Sequence, residues 1–313
     1  IMPGLENITT VLPFENAPAG AYLLDIRVRE SGLYNAINTT ATINVINRVP
    51  IIEIETNTPR TTGVLEINTT IKDNDGNIVN QGVIIFSING VNITDAINVT
   101  NGHASANVTL SDDTQARPFT LVAKFVDPQY AVQHKTKTIN IIRSDIADVI
   151  IPKIETKALT NTTYDIILKD TFGKQIIHDS DVEVIFTGEN NTYRENITIS
   201  NGVLHYELPT GKYPPGLYNV TFNVKQNNYY NEKTINSQLE IIKRNATINI
   251  TTNNPKTVQT MYIRGKLVDD DGVPINNGKA VIKVDGRIVR TLTVRDGEVQ
   301  YSYRLGSNIY AGE

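Results

Sequence analysis

The chain has 313 residues, of which 40% are hydrophobic and 20% charged, enough apolar material for several cores and too much for a disordered segment. It has no cysteine, which excludes disulfides, thiolate metal sites and a cysteine nucleophile. A net charge of −4 with acids and bases interspersed lacks the basic stripe that phosphate backbones require, and no apolar run approaches ~18 residues, so neither nucleic acid nor a membrane span is expected.

In chain order, the opening Ile1-Met2-Pro3-Gly4 has neither the charged nor the apolar region of a signal peptide. A Pro/Gly corner running into an aromatic follows, Pro18-Ala19-Gly20-Ala21-Tyr22, then Tyr34 and a Thr/Ile/Asn-rich strand up to Arg48. The next stretch brings an acidic glycine turn, Asp73-Asn74-Asp75-Gly76, a tight-turn signal, Asn101-Gly102, a weaker corner, Arg117-Pro118-Phe119, then Tyr130 and Arg143. The same landmarks return in the same order as Asp170-Thr171-Phe172-Gly173, Asn201-Gly202, Pro214-Pro215-Gly216-Leu217-Tyr218, Tyr230 and Arg244. A last set begins with Asp269-Asp270-Asp271-Gly272 and Asp296-Gly297, and Tyr310-Ala311-Gly312 opens another corner. The closing arginines are 95 and 101 residues apart, the length of one immunoglobulin-type sandwich.

Between landmarks the hydrophobic period is two. Lys279 to Asp285 puts Ala280, Ile282 and Val284 on one face and Lys279, Lys283 and Asp285 on the other. Tyr218 to Val224 alternates without a break. Such strands, separated by Asn-Gly and Asp-Gly reversals, predict an all-β chain of tandem immunoglobulin-like β-sandwich domains. The expected divisions are 1–48, the C-terminal part of a repeat; 49–143 and 144–244, two whole sandwiches; and 245–313, the N-terminal part of a repeat. Linkers at Val49-Pro50 and Ser144-Asp145 are short, which predicts a semi-rigid rod. The two partial repeats are complementary in kind, and both are expected to expose sheet edges and an uncovered apolar face.

Twelve Asn-x-Thr sequons stand out, at Asn7, Asn38, Asn68, Asn92, Asn98, Asn107, Asn161, Asn190, Asn196, Asn219, Asn245 and Asn249. On a strand the Asn and Thr share the outer face while the middle residue points inward, so glycosylation is expected at some of them; the reversed and meaningless Thr-x-Asn occurs seven times, which measures the compositional background. Two readings of the Asp-rich turns stand side by side: backbone geometry of an Asp-x-x-Gly turn, or calcium ligation by Asp73, Asp75, Asp269 and Asp271. His103, His134, His178 and His205 are scattered, and neither a catalytic constellation nor a cofactor motif is present. Tyr22 and Tyr218 fit a tyrosine corner, in which the hydroxyl bonds a nearby backbone group.

The Asp-rich Gly turns with their following strands, as in Asp269-Asp270-Asp271-Gly272-Val273-Pro274-Ile275 and Val284-Asp285-Gly286, resemble bacterial-type Ig-like repeats of large surface proteins, and most of all the Ig-like repeats of adhesin-like proteins from methanogenic archaea. The Pro-Pro-Gly-Leu-Tyr corner and the Asn/Ile/Thr bias add to this likeness, which covers nearly the whole chain. Residues 144–244 depart from it, with Asp181-Val182 in place of a Gly before the alternating strand. The resemblance implies extracellular display at the cell surface, contact with the cell envelope or other cells through the parent protein, often glycosylation, and sometimes Lys–Asn isopeptide bonds beside a buried carboxylate. Three functions stay open: a non-enzymatic stalk that displays an adhesive tip; repeats that bind a glycan or protein through loops such as Thr187-Gly188-Glu189-Asn190-Asn191 or through edge strands; and an accessory module of a secreted enzyme.

Overall fold

The computed structural model describes residues 10–11, 17–284 and 286–307; Asn7, Asp285 and the Tyr310-Ala311-Gly312 corner lie outside them. Among the described residues the regular structure is strand, apart from one 3-10 turn at Thr210–Lys212. Alternating Ile, Val and Thr place one row of side chains on each face and disfavour helix through their stiff χ1.

The first pair, β1 (Gly20–Val28) and β2 (Ile37–Val45), is an antiparallel hairpin with Tyr22 opposite Ile43. Next come β3 (Pro50–Thr56), β4 (Val64–Asp73), β5 (Val83–Ile88), β6 (Val91–Asn92), β7 (Ile97–Asn98), β8 (His103–Thr109), β9 (Pro118–Val126) and β10 (Gln133–Asn140). They make two sheets, in the orders β3-β4-β8 and β10-β9-β5-β6, with β7 also on β5. The faces meet over a core that includes Ile52, Leu65, Ile67, Phe86, Leu121 and Phe125.

The third set is β11 (Ile154–Lys157), β12 (Asn161–Ile167), β13 (Ser180–Thr187), β14 (Thr192–Ile199), β15 (Val203–Pro209), β16 (Gly216–Val224) and β17 (Lys233–Ile242). Its sheets run β11-β17-β16-β13-β14 and β12-β15, and β11 pairs with β17 in parallel. A separate core lies between them, with Tyr164, Val184, Phe186, Val220, Phe222 and Leu239. These are the strand orders of an immunoglobulin-like sandwich, and the all-β tandem class expected from the periodicity is what the chain adopts. Gly82 precedes β5 with φ +89°, whereas Ser180 and Asp181 enter β13 directly and Lys225 N donates to Asp181 O at 2.8 Å.

The last set is β18 (Ala246–Thr252), β19 (Thr260–Asp269) and β22 (Glu298–Arg304) in one sheet, and β20 (Lys279–Val284) with β21 (Arg287–Thr293) in the other. The tight-turn signals read correctly: Asn101-Gly102, Asn201-Gly202 and Asp296-Gly297 all hold positive φ at both residues. At Gly202 a Cβ would lie 2.4 Å from Ile176 O, so that turn excludes any other residue on space as well as on dihedral grounds.

Candidate functional site

The acidic turns are built alike. Asp73 Oδ1 accepts from the backbone amides of Asp75 (3.0 Å) and Asn77 (2.8 Å). Asp170 Oδ1 does the same with Phe172 (3.0 Å) and Lys174 (2.9 Å), and Asp269 Oδ1 with Asp271 (3.0 Å) and Val273 (2.9 Å). The glycines that follow, Gly76, Gly173 and Gly272, all lie at positive φ. One carboxylate oxygen thus closes each turn, and the other faces the segment arriving from the preceding repeat, at Asp73 while also accepting from Asn77 Nδ2 at 3.1 Å. Asp73 Oδ2 stands 3.4 Å from Arg48 Nη1, Asp170 Oδ2 accepts from Thr62 Oγ1 at 2.7 Å, and Asp269 Oδ2 lies 3.2 Å from Arg244 Nη1. Burial pushes the Asp73 carboxyl up, but the Asn77 side chain, the Asn77 and Asp75 amides and Arg48 outweigh it and hold the group below the usual carboxylate range.

The repeat-closing arginines are therefore not strand ends, as their spacing suggests. Arg48 and Arg244 lie past the last residues of β2 and β17 and reach the acidic turn of the next repeat, while Arg143, past β10, donates from Nε to Asn227 O at 2.5 Å. Each arginine works in the joint it precedes.

The joint between the β3–β10 sandwich and the β11–β17 sandwich is the most fully built. Arg60, Thr61 and Thr62 come from the turn between β3 and β4, and Asp112, Gln115 and Ala116 from the loop after β8. They meet Ser144 and Asp145, the β12–β13 loop and the β16–β17 loop. Thr61, Ser144 and Asp170 are buried, at 0%, 0% and 1% exposure. Since an ionised carboxylate only accepts, Thr62 donates to Asp170, and Ser144 Oγ must then donate to Thr62 Oγ1 (2.8 Å). Thr61 Oγ1 donates to Tyr229 O at 2.7 Å. Main-chain bonds flank this ladder: Ser144 N to Tyr229 O (3.0 Å), Asn231 N to Ser144 O (2.9 Å) and Ala116 N to Asn228 O (2.8 Å). Arg60 donates to Arg143 O (2.7 Å) and pairs with Asp145 (2.9 Å), Lys174 pairs with Asp112, and the His178 ring stacks on Tyr229 at 3.4 Å.

The joint onto the last set of strands, β18 to β22, is held by charge. Arg244 donates to Ala158 O (2.6 Å) and Thr160 Oγ1 (2.7 Å) while facing Asp269, Asp270 and Asp271, and Lys157 pairs with Asp270 at 2.7 Å. The Lys157 hydrogen bond holds the Asp270 carboxyl low. Of the calcium candidates, Asp73 and Asp269 thus face amide donors and a guanidinium, Asp271 pairs with Arg244, and Asp75 is exposed. Among the described residues no group of three or more His, Cys, Asp or Glu side chains is arranged to hold a metal ion.

The tyrosine corners form as expected: Tyr22 donates to Pro18 O at 2.7 Å and Tyr218 to Pro214 O at 2.6 Å, while Phe119, without a hydroxyl, keeps only the packing. Tyr130 and Tyr230 are buried and bridge to Arg48 and Ser144, whereas Tyr34 is 75% exposed. The eleven described sequon asparagines are all exposed, and behind Asn68, Asn98 and Asn219 the middle residue is buried. Glu189, Asn190 and Asn191, at the β13–β14 tip, are exposed as well. Among the described residues the buried carboxylates are Asp73 and Asp170, which face amides, a hydroxyl and Arg48 rather than a lysine.

No protein-family profile matches the chain, and no curated protein matches it either. Solved structures do: a tetra-tandem repeat from the extending region of a large adhesion protein is 12% identical, with TM-score 0.39, covering 96% of this chain and 77% of that one. A Ca2+-stabilised adhesin that helps an Antarctic bacterium reach out and bind ice is 14% identical, with TM-score 0.25 and coverages of 92% and 74%. The chicken CNTN1 FN1–FN3 domains are 11% identical, with TM-score 0.29 and coverages of 82% and 88%. All three scores are below 0.5, and the sandwich assignment rests on the strand order. Among the described residues no helix is long and apolar enough to cross a membrane.

Proposed function

We propose that this chain is a non-enzymatic stalk section of an adhesin-like protein displayed at the cell surface, whose repeats set the distance and direction of a binding tip. The observation that carries the reading is the polar ladder Thr61–Ser144–Thr62–Asp170 between two sandwiches, in which Thr61, Ser144 and Asp170 are buried and Thr62 half-buried. A flexible tether has no use for desolvated hydroxyls matched across a domain boundary, because such contacts order the joint and are costly if left unpaired. The divisions 1–48, 49–143, 144–244 and 245–313 are retained as the repeat units, with two cores spanning 52–141 and 146–241 as their support. The exposed sequons support a glycosylated outer face, which fits extracellular display.

Small-angle scattering of the chain tests this. A stalk gives an elongated particle with a single, well-defined maximum dimension. A compact particle, or a broad distribution of lengths, removes the basis for the reading. Specific, saturable binding on a glycan array, abolished by changes in the Thr187–Asn191 tip, would replace it with the adhesive-repeat reading.

A further inference from the structure

The two complete sandwiches share a backbone plan but not the plug at one end. Their registers match residue to residue: Val108 opposite Leu65 corresponds to Leu208 opposite Thr162. Ile88 opposite Leu121 corresponds to Phe186 opposite Val220, and Phe119 opposite Ile139 to Tyr218 opposite Leu239. In the β11–β17 sandwich the chain leaves β15 through the 3-10 turn Thr210–Lys212, which returns Tyr213 to the core at 5% exposure. The Tyr213 ring centre lies 5.2 Å from that of Phe186, 4.8 Å from Tyr193 and 6.2 Å from Tyr218. Around it Phe186, Leu208 and Tyr218 are buried.

In the β3–β10 sandwich the chain after β8 goes elsewhere. Asp112 pairs with Lys174, its carbonyl oxygen lies 2.8 Å from His178 Nε2, and Ala116 N donates to Asn228 O at 2.8 Å. The 111–116 loop is thus held in the joint, contains no aromatic residue and sends no ring back between the sheets. Ile88, Val108 and Phe119 are only half-buried as a result. A cleft of about 370 Å³ opens beside them, lined also by Ile93 and Ile141, with Ser111 and Thr114 on its polar side. Ile93 N donates to Phe86 O, which places Ile93 where Val184 faces Glu195 in the other sandwich. Glu195 there accepts from Tyr206 (2.7 Å) and Tyr213 (2.9 Å), so the isoleucine replaces the acceptor that a phenol would need.

We propose that this cleft is a binding site for a small, uncharged aromatic molecule of one ring, with any polar substituent directed toward the Ser111 and Thr114 hydroxyls. The β11–β17 sandwich shows the fit, because there the chain's own Tyr213 ring fills the equivalent space between the same pair of sheets. Apolar cavities take up such rings because their walls otherwise lack contact partners, and Phe119 offers an edge or a face for ring packing. The size and the mostly apolar lining are those of a small-molecule site. The cleft is continuous with the joint through the 111–116 loop, which the next sandwich grips, and this favours a small molecule over a docking protein.

Titration of the full chain with toluene, followed by NMR of labelled Ile and Val methyl groups, tests this. The methyls of Ile88, Ile93, Val108 and Ile141 should shift, and the shifts should saturate. Ile88→Phe installs the residue that the other sandwich has at Phe186 and should abolish them by filling the cleft. Ile93→Phe fills it from the opposite wall and should do the same, so the test survives if one variant fails to melt cooperatively. Absence of shifts at these methyls, shifts that grow linearly up to the solubility of toluene, or saturable shifts that persist in a folded filled variant overturn the proposal. None of these residues belongs to the Thr61–Ser144–Thr62–Asp170 ladder, so either result leaves the stalk reading to be decided by scattering.

Discussion

Replacing Thr62 by valine keeps the shape of the side chain but removes the donor to Asp170 and the acceptor for Ser144. Asp170 is 1% exposed, so its Oδ2 has no ready access to water while the joint stays shut. A hydrogen bond to a charged group contributes about 1.5–3 kcal/mol, and the coupling between the two sandwiches should therefore fall on the order of 10–150-fold. Because the substitution sits in one sandwich and the orphaned carboxylate in the next, the effect has to cross the boundary. Hydrogen-exchange mass spectrometry of the full chain reads this, as lost protection in peptides around Asp170, Lys174 and Tyr229. Thr62→Ser, which restores the hydroxyl, should recover most of it. If Thr62→Val leaves exchange in 144–244 at the level of the unmodified chain, the ladder does not couple the domains and the argument for an ordered joint fails.

Three further outcomes follow from the geometry. Tyr218→Phe removes the bond to Pro214 O and should lower the stability of its sandwich by about 1 kcal/mol, measured as a shift in denaturant midpoint at constant slope; Phe119, which already lacks the hydroxyl, serves as the natural reference. Gly202→Ala places a Cβ 2.4 Å from Ile176 O at φ +67° and should cost several kcal/mol, enough to abolish cooperative melting of 144–244; Gly173→Ala, at φ +83° with open space around it, should cost only about 1 kcal/mol. Burial pushes the phenols of Tyr164 and Tyr213 up to about 12, whereas an unfolded chain releases those protons near about 10. The folded-state values are raised, so this stability is complete below pH ~10 and drains away as pH rises through about 12. Denaturation midpoints should fall over that window.

Much of the architecture was legible because it depends on short-range chemistry. Asn-Gly and Asp-Gly pairs mark reversals through their own dihedral preferences, and alternating Ile, Val and Thr declare their faces residue by residue. The tyrosine corners were visible too, since Pro18 and Tyr22, or Pro214 and Tyr218, lie within five residues. The joint was not legible. Thr61, Thr62 and Ser144 look like ordinary strand-end and linker residues, and their meaning arises only when segments more than eighty positions apart are brought end to end. The arginines misled for the same reason: spacing gave their periodicity, but which neighbour each one grips is decided by packing. Tyr34 shows the converse limit, since its position copies Tyr130 and Tyr230 while its exposure depends on whether a second sheet covers the hairpin.

The parallel pairing of β11 with β17 has a mechanical consequence. Ile154 to Lys157 lie beside Leu239 to Ile242, and the chain enters the sandwich ahead of the first strand and leaves it after the last. Tension between the two ends pulls these neighbours past one another along their length. All the bonds of the pair are then strained together, unlike those of a hairpin peeled from its open end, which yield one at a time. Arg60 beside Ile142 repeats the arrangement in the preceding sandwich. The two complete sandwiches thus carry a shear clamp near the ends through which an external pull is transmitted.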